Sequence, residues 1–439
     1  MGCKLFKTYE EALEWIHGRL VMGMKPGLKR MEWMMKRLGH PERRFKSIHV
    51  AGTNGKGSTV TYLREMLEAA GQVVGTFTSP YITTFNERIS VNGEPISNEE
   101  ILRLANLVYP LVMELEETSL GGPSEFEVVN TMMFIYFGEG HADVVLIEVG
   151  LGGLVDSTNV VTPVVSAITT IGFDHMHILG GTIAEIAEQK AGIIKPGIPV
   201  VVGNVDSEAL KVISKVAEEN ASPLLCFNKD YFISKWKTLP TWGETFTFED
   251  DFICLRQVVL SMLGKHQVEN AALALEVLRV YSHETGLAIG HEQMLRGLKV
   301  AFWPGRLEKI NEDPLIILDG AHNEPAMNRL VETLKNDFEQ QEIYVLFAAL
   351  GDKAVDKMLG QLQVLPNVHL ILTSFDYPRA ASANQLTTNL TGNYDVEEVW
   401  QEGLVKTVNE MDSNSVLIIT GSLYFISEVR HYFLDETNN

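Results

Sequence analysis

The stretch SIHVAGTNGKGSTVTYL, residues 47–63, decides how the chain is read, because a strand, a glycine-rich turn and the opening of a helix follow one another in it. It nearly spells the phosphate-binding loop G-x-x-x-x-G-K-[ST]. Lys56 follows Gly55 as that formula requires, but only Thr53 and Asn54 part Gly52 from Gly55, and Gly57 separates the lysine from Ser58. A strand feeding such a turn gathers backbone N–H groups at the positive end of a helix dipole, where phosphate is attracted. Lys56 can then reach the terminal phosphates of a nucleotide, and the Ser58 hydroxyl can hold Mg2+, which prefers oxygen ligands and substrate phosphates. The bland alternative is a glycine turn with a solvated lysine. Three glycines, a lysine and a Ser-Thr pair in this setting favour the phosphate site.

Outward from the loop, short β-rich runs alternate with segments of helical period: FKSIHV, GSTVTYLREMLEAAG, VVGTFTS, ISNEEILRLANLVYPLVMELEE, ADVVLIEVG, VVSAITTIG and IPVVVGN. In the first helix Val60, Leu63, Leu67 and Ala70 share one face and Gly71 is a natural stop. Ser97 with Glu100 and Thr182 with Glu185 have capping-box spacing. This alternation predicts a largely parallel sheet flanked by helices. Between about residues 225 and 260, YFISKWK, ETFTFED and FICLRQV read as an antiparallel appendage, followed by the long helix QVENAALALEVLRVYSHETG. After VAFWPGR the alternation restarts with PLIILDGAHN, PAMNRLVETLKNDF, EIYVLFAAL, VHLILTS and SVLIITG. The expectation is an α/β chain of two parts: a P-loop-containing, mostly parallel sheet domain over residues 1–301 with the small antiparallel appendage, then a smaller Rossmann-like α/β domain over 302–439.

The length of 439 residues suits two or three domains of about 100–200 residues. A net charge of −21 argues against nucleic acid or an anionic membrane as partner, so any anion site must be built locally. Cys3, Cys226 and Cys254 are few, odd in number and outside any C-x-x-C spacing, as expected of buried or unreactive thiols in a reduced compartment. The N-terminus turns charged too early for a secretory signal, and Phe6 spoils a myristoylation pattern. No run approaches the ~20 apolar residues that span a bilayer. A cytoplasmic monomer is expected.

Two further constellations carry chemistry. In VVLIEVGLGGLVDSTNV, Glu148 interrupts a run otherwise built for a buried parallel strand, where a carboxylate costs several kcal/mol unless paired or metal-bound. Carboxyl ends of parallel strands are where such folds bind ligands. In ITTIGFDHMHILGGTIAEIAEQKAGIIK, Asp174, His175 and His177 cluster after another strand and Lys190 lies in the next helix. A lone histidine is more often structural; Glu148 at a neighbouring strand end favours a metal role for His175.

The ordered motifs HVAGTNGKGS, TSPYITTFNERI, EVGLGGLVDSTNV, DHMHILGGTIAEIAEQKAGIIK, LGKHQVENAALAL, WPGRLE, LDGAHN and TGSLYF resemble those of folylpolyglutamate synthases, members of the Mur ligase superfamily related to dihydrofolate synthases. The resemblance covers nearly the whole chain, and the shortened loop looks like that family's own. It implies an ATP-dependent ligase in which the γ-carboxylate of a reduced folate, mono- or polyglutamylated, attacks the γ-phosphate to give an acyl phosphate, which the amino group of L-glutamate then displaces. A carboxylate is a poor acyl donor because oxide would leave; phosphate leaves readily, so the protein mainly positions groups and neutralises charge.

What the resemblance implies for individual residues is specific. Gly52, Thr53, Asn54, Gly55, Lys56, Gly57 and Ser58 would bind the triphosphate, with Ser58 on one Mg2+. Ser79, Glu148 and His175 would hold a second Mg2+, and Lys190 would be carbamylated by CO2. His266, Gln267 and Asn270 match the adenine region, and Arg306 and Asp319 match phosphate and ribose contacts. His322 and Ser422 match glutamate positions, His322 with Lys56 and Lys190 being the candidate catalytic groups, while Ser79, Pro80, Tyr81 and Asp156 match the folate site. Two departures stand out. Dual-function relatives often read GGRLD where this chain has Gly152-Gly153-Leu154-Val155-Asp156, and Glu324 displaces a proline expected directly after Asn323. The first points to folylpolyglutamate synthesis as the main activity, with a bifunctional enzyme as the alternative; the second should be tolerated, since a helix can open on an acid. A cell-wall ligase of the same superfamily would need a further N-terminal domain, which about fifty residues before the loop cannot hold. A P-loop ATPase or nucleotide-gated binding module without ligation would leave Glu148, His175 and Lys190 without a task.

Overall fold

A computed structural model describes residues 5–23, 26–351, 355–388 and 390–436 of the chain. Cys3 lies outside the described residues. The chain divides into two compact units: Met1–Ser234 with Thr247–Val258 and Glu269–Ala301, and Lys235–Phe246 with Val259–Val268 and Phe302–Asn439.

The first unit is built on an eight-stranded sheet in the order Glu94–Pro95, Ile89–Val91, Val74–Phe77, Val144–Glu148, Lys46–Ala51, Val165–Ile168, Val200–Val202 and Leu224–Cys226. Every neighbour pair from Val74–Phe77 onward is parallel; at the other edge Ile89–Val91 pairs antiparallel with both Val74–Phe77 and Glu94–Pro95. The strand that feeds the glycine loop is therefore central, with Val50 opposite Glu148 and Ala51 opposite Ile168. That register brings the chain segments after three strands together at the carboxyl ends of those strands, the usual ligand side of such folds.

Helices cover the sheet as their sequences dictate. Lys56–Ala69 buries Val60, Leu63 and Leu67 and stops before Gly71 at φ +82°, a left-handed conformation that glycine adopts without penalty. Asn98–Glu116 begins at Ser97, whose side chain accepts from the Glu100 N–H, and Ile183–Ala191 begins with a full Thr182–Glu185 capping box. Glu125–Gly138 is apolar around most of its circumference and lies in the core, with Met132, Met133, Phe134 and Phe137 fully enclosed. Burying each such side chain stabilises the fold by about 1.5–3 kcal/mol.

The second unit has a six-stranded sheet in the order Glu308–Glu312, Leu315–Leu318, Ser415–Thr420, Glu342–Phe347, Val368–Ser374 and Asp395–Val399. All its pairs are parallel except the first. The appendage expected near residues 225–260 is a three-stranded sheet of Tyr231–Thr238, Glu244–Asp250 and Cys254–Leu260, consecutive neighbours joined by short turns and so antiparallel. Glu324 opens the helix Glu324–Asp337 behind Asn323, whose side chain accepts from the Ala326 N–H, and the displaced proline still falls within the first turn. Of the described cysteines, Cys226 is buried, its thiol pushed up to about 11 by burial first, and Cys254 is exposed; neither is in a disulfide.

Candidate active site

The glycine loop is held by the chain that follows the neighbouring strand Val165–Ile168. Thr53 donates its backbone N–H to Thr170 O at 2.8 Å, and its hydroxyl donates to Gly172 O at 3.1 Å while accepting from Gly172 N at 3.0 Å. Asn54 N donates to the Thr170 hydroxyl at 3.0 Å, and Thr169 and Thr170 both donate to Asn54 O. A β-carbon on Gly52 would fall 1.8 Å from Thr169 Oγ1, and one on Gly55 2.3 Å from Asn270 Oδ1. Two of the loop glycines are thus required by close approach, and Asn270 stands against the loop.

Helix Lys56–Ala69 has Gly55 at its N-cap, no side-chain cap and no acid in its first turn, unlike the capped helices described above. Its positive end is left facing the loop. The Lys56 ammonium donates to Gly52 O at 3.0 Å and Thr53 O at 3.2 Å, which folds the lysine over the loop. Ser58 is buried one residue beyond Gly57. Uncapped N–H groups, a lysine curled over a glycine cradle and a first-turn hydroxyl together fit a nucleotide's phosphates and Mg2+.

Glu148, 5 % exposed, accepts from the Ser79 backbone N–H at 3.3 Å, so these two expected metal ligands are neighbours. His175 is exposed, with φ +49° and its Nε2 3.8 Å from Asp174 Oδ1. Among the described residues no three His, Cys, Asp or Glu side chains gather as a metal cluster. The donor set is one carboxylate, one imidazole and hydroxyls, which suits a hard cation that takes much of its shell from water and phosphate. Lys190 is 3 % exposed. Burial, then the nearby Lys56 charge, lowers its pKa to about 7, while Asp174 and Asp156 pull the other way. A buried amine that is neutral near pH 7 can add to CO2, so the residue fits a carbamate.

Asp156 is 5 % exposed and is held inside its own loop: Oδ2 accepts from Leu151 N at 2.8 Å and Oδ1 from Thr158 N at 3.0 Å. Burial raises its pKa, against those hydrogen bonds. Tyr81 packs edge-on to Phe85, with the Arg88 guanidinium 5.3 Å from its ring centre, and Pro80 is exposed beside it. The segment is shaped by Glu87, whose carboxylate accepts from Ile82, Thr83 and Thr84 N–H groups. Sequence reading passed over Arg88, Glu87, Thr169, Thr170, His49 and Thr158. The only signal among them was the Thr84-x-x-Glu87 spacing; the rest become neighbours by register alone.

In the second unit, Asp319 is buried at the end of Leu315–Leu318, accepting from Leu307 N and Ala321 N at 3.0 Å each. Burial raises its carboxyl, while Arg306 beside it acts in the opposite sense. Arg306 Nη1 would lie 2.2 Å from a β-carbon on Gly320, so that glycine makes room for the guanidinium. His322 Nδ1 lies 2.8 Å from Gly320 O, a carbonyl that can only accept, so Nδ1 carries a proton. Ser422 is buried immediately before helix Leu423–Glu436. His266 and Gln267 open helix Lys265–Thr285; burial, then Arg329 and Arg306, holds the His266 imidazole down to about 3.

Comparison with known proteins agrees with this geometry. The Mur ligase middle domain model matches residues 50–278, and the Mur ligase glutamate ligase domain model matches residues 305–423. The chain is 47 % identical over 435 residues to the dihydrofolate synthase/folylpolyglutamate synthase of Bacillus subtilis, covering 97 % of this chain and 99 % of that protein. Among solved structures it is similar to Mycobacterium tuberculosis folylpolyglutamate synthase complexed with ADP, at 27 % identity, TM-score 0.88, and 97 % and 99 % coverage. It is also similar to a folylpolyglutamate synthase complexed with AMPPCP and folate, at 35 % identity, TM-score 0.83, and 97 % and 100 % coverage. The chain belongs to the Mur ligases and, within them, to the folylpolyglutamate synthase/dihydrofolate synthase family. The α/β fold and the family expected from the sequence are both borne out.

Proposed function

We propose that the chain is an ADP-forming ligase that joins L-glutamate to the γ-carboxylate of reduced folates. The observation that carries this reading is that Glu148 lies opposite the strand feeding the glycine loop and that buried Lys190 feels the charge of the loop's Lys56, in a chain of this family. Hydrolysis of ATP alone would not need Glu148 and Lys190.

In the first step a γ-carboxylate oxygen attacks the γ-phosphorus of ATP and the bond to ADP breaks. Lys56, fixed by Gly52 O and Thr53 O, offsets the charge on the transferring phosphoryl group. Mg2+ on Ser58, and on Ser79, Glu148 and His175, would add positive charge at the phosphate oxygens. Lys190, as a carbamate, would supply an anion able to orient the His175 side of the site. In the second step the amine of glutamate attacks the acyl carbon, phosphate departs with the bonding pair, and the amine loses a proton. His322 and Ser422 are assigned to glutamate; His266, Gln267, Asn270, Arg306 and Asp319 to the nucleotide; Pro80, Tyr81 and Asp156 to the folate. We further assign the nucleotide-binding and folate-binding core to the first unit, additional ATP and glutamate contacts to the second, and a cytoplasmic, monomeric state to the whole. Among the described residues no helix is long and apolar enough to cross a membrane.

A second reading, a bifunctional enzyme that also glutamylates dihydropteroate, is favoured by the Bacillus subtilis relative, which is named for both activities. Against it stands Leu154, 44 % exposed where dual-function relatives often place arginine. The deciding experiment is incubation with ATP, Mg2+ and L-glutamate plus either tetrahydrofolate or dihydropteroate, followed by product mass. Glutamate-dependent extension of tetrahydrofolate is expected. Phosphate release without extension would refute the ligase reading, and comparable kcat/KM for both acceptors would establish the bifunctional one.

A further inference from the structure

His49 lies in the central strand Lys46–Ala51, fully buried, between the apolar side chains of Ile48 and Val50 in sequence. A polar ring at such a place is costly, and each nitrogen that finds a partner lowers that cost. Its Nε2 lies 2.8 Å from the hydroxyl of Thr158, itself fully buried, and that hydroxyl donates to Asp156 Oδ1. A hydroxyl has one proton. Since Thr158 gives it to the carboxylate, the imidazole must be the donor in the other contact, which places its proton on Nε2. The remaining nitrogen, Nδ1, is buried with no hydrogen-bond partner, so the ring accepts the loss of one contact to make this one. Burial, reinforced by Lys195, holds the imidazole down to about 3 and hence neutral, as a single-proton donor must be.

The far end of this chain of hydrogen bonds is a loop that is pinned elsewhere but not aimed. Leu154 N donates to Gln189 O at 2.7 Å, and Asn159 Nδ2 donates to Leu154 O at 3.1 Å and Gly192 O at 3.0 Å, tying the loop to the helix that carries Lys190. None of these contacts touches the Asp156 carboxylate. Its direction is set by the backbone N–H groups of Gly150, Leu151 and Thr158 and by the Thr158 hydroxyl. If the Thr158 hydroxyl turned toward the imidazole, Asp156 would lose its shortest donor.

We propose that His49 is a positioning residue for the folate site, acting through the Thr158 hydroxyl to fix the Asp156 carboxylate and the loop from Gly150 to Asp156. The inference rests on the reading of Asp156 as a folate-site residue. His49 touches no substrate in this scheme; it selects which way Thr158 donates.

The test is steady-state kinetics on the full chain with tetrahydrofolate, ATP and L-glutamate. Thr158→Val, nearly isosteric, and His49→Leu should each raise KM for tetrahydrofolate about tenfold while kcat and KM for ATP stay within about twofold. The double variant should be no worse than the weaker single one, because both remove one relay. Thr158→Ser and His49→Gln, which keep a hydroxyl and an N–H donor, should stay near the parent. Equal losses in kcat and in both KM values, or a lowered Tm with KM for tetrahydrofolate unchanged, would overturn the proposal in favour of a purely structural role. Asp156→Ala separates the two layers: if it leaves KM for tetrahydrofolate unchanged, the folate-site reading falls and the proposal with it. If it raises that KM while Thr158→Val does not, the reading stands and the relay falls.

Discussion

The Lys190 amine is buried within reach of the Lys56 ammonium, and after burial itself this like charge is the largest influence holding it down to about 7. The loop assigned to phosphate and the lysine expected to carry CO2 are therefore coupled. An unmodified Lys190 is mostly neutral above pH 7 and charged below it, and only the neutral form adds CO2. Activity of enzyme freed of CO2 should be restored by bicarbonate at pH 8 far better than at pH 6. Lys190→Ala should lose activity that acetate or formate partly returns by filling the vacated anion position. Bicarbonate-independent activity at both pH values, with no effect of the small acids, would refute a carbamate.

Lys56→Ala should abolish most ligation while leaving the fold intact, because among the described residues the side chain bonds to the carbonyls of its own loop. Losing one charge beside the transferring phosphoryl group typically costs about 10²–10³ in rate. Phosphate release and folate extension should fall together; a folded variant that keeps more than about a tenth of the parent rate contradicts the assignment.

Gly55→Ala should weaken ATP binding for two separable reasons. The residue sits at φ +86°, and its new methyl would meet Asn270 Oδ1 at 2.3 Å. The backbone conformation alone costs a non-glycine residue about 1–3 kcal/mol. Adding Asn270→Ala should recover the steric part and not the conformational part, so titration of the double variant with ATP should fall between Gly55→Ala and Asn270→Ala alone.

His49 should make stability fall in mild acid. Its folded-state pKa, about 3, lies below the ordinary histidine value near 6.5, so the unfolded chain takes up the proton first. The stabilisation is fully present above about pH 6.5 and is lost as pH falls toward 3, at about 1.4 kcal/mol per pH unit. Between pH 7 and 5 the parent should lose about 2 kcal/mol relative to His49→Gln, read from urea midpoints of both proteins at each pH. Parallel pH profiles for the two proteins would mean that the ring is not buried neutral.

Much of the architecture was legible without coordinates. The strand, glycine turn and helix around Lys56 were read correctly because apolar period, capping residues and glycine stops are local properties, and Thr182–Glu185 forms the box its spacing promised. Helix Val355–Leu362 and the edge strand Asp395–Val399 were not singled out. The strand, Asp-Val-Glu-Glu-Val, has no alternating apolar face, and pairing with Val368–Ser374 is what makes it a strand.

By itself the sequence determined the family, the order of elements and the residue types that carry the chemistry, since ordered motifs and hydrophobic period are written along the chain. Only the tertiary structure decided which of those residues meet. Glu148 and Ser79 are 69 positions apart, and parallel pairing of their strands is what sets the Ser79 N–H on the carboxylate. Lys190 looks like any helical lysine in sequence; packing that excludes water and seats it near Lys56 is what drives it toward neutrality. His49 is one polar letter in an apolar strand, and Thr158, 109 positions further on, had to be folded against it before its proton had an acceptor. Distances of that kind are fixed by sheet register and burial, which arise from the whole chain at once and have no local signature.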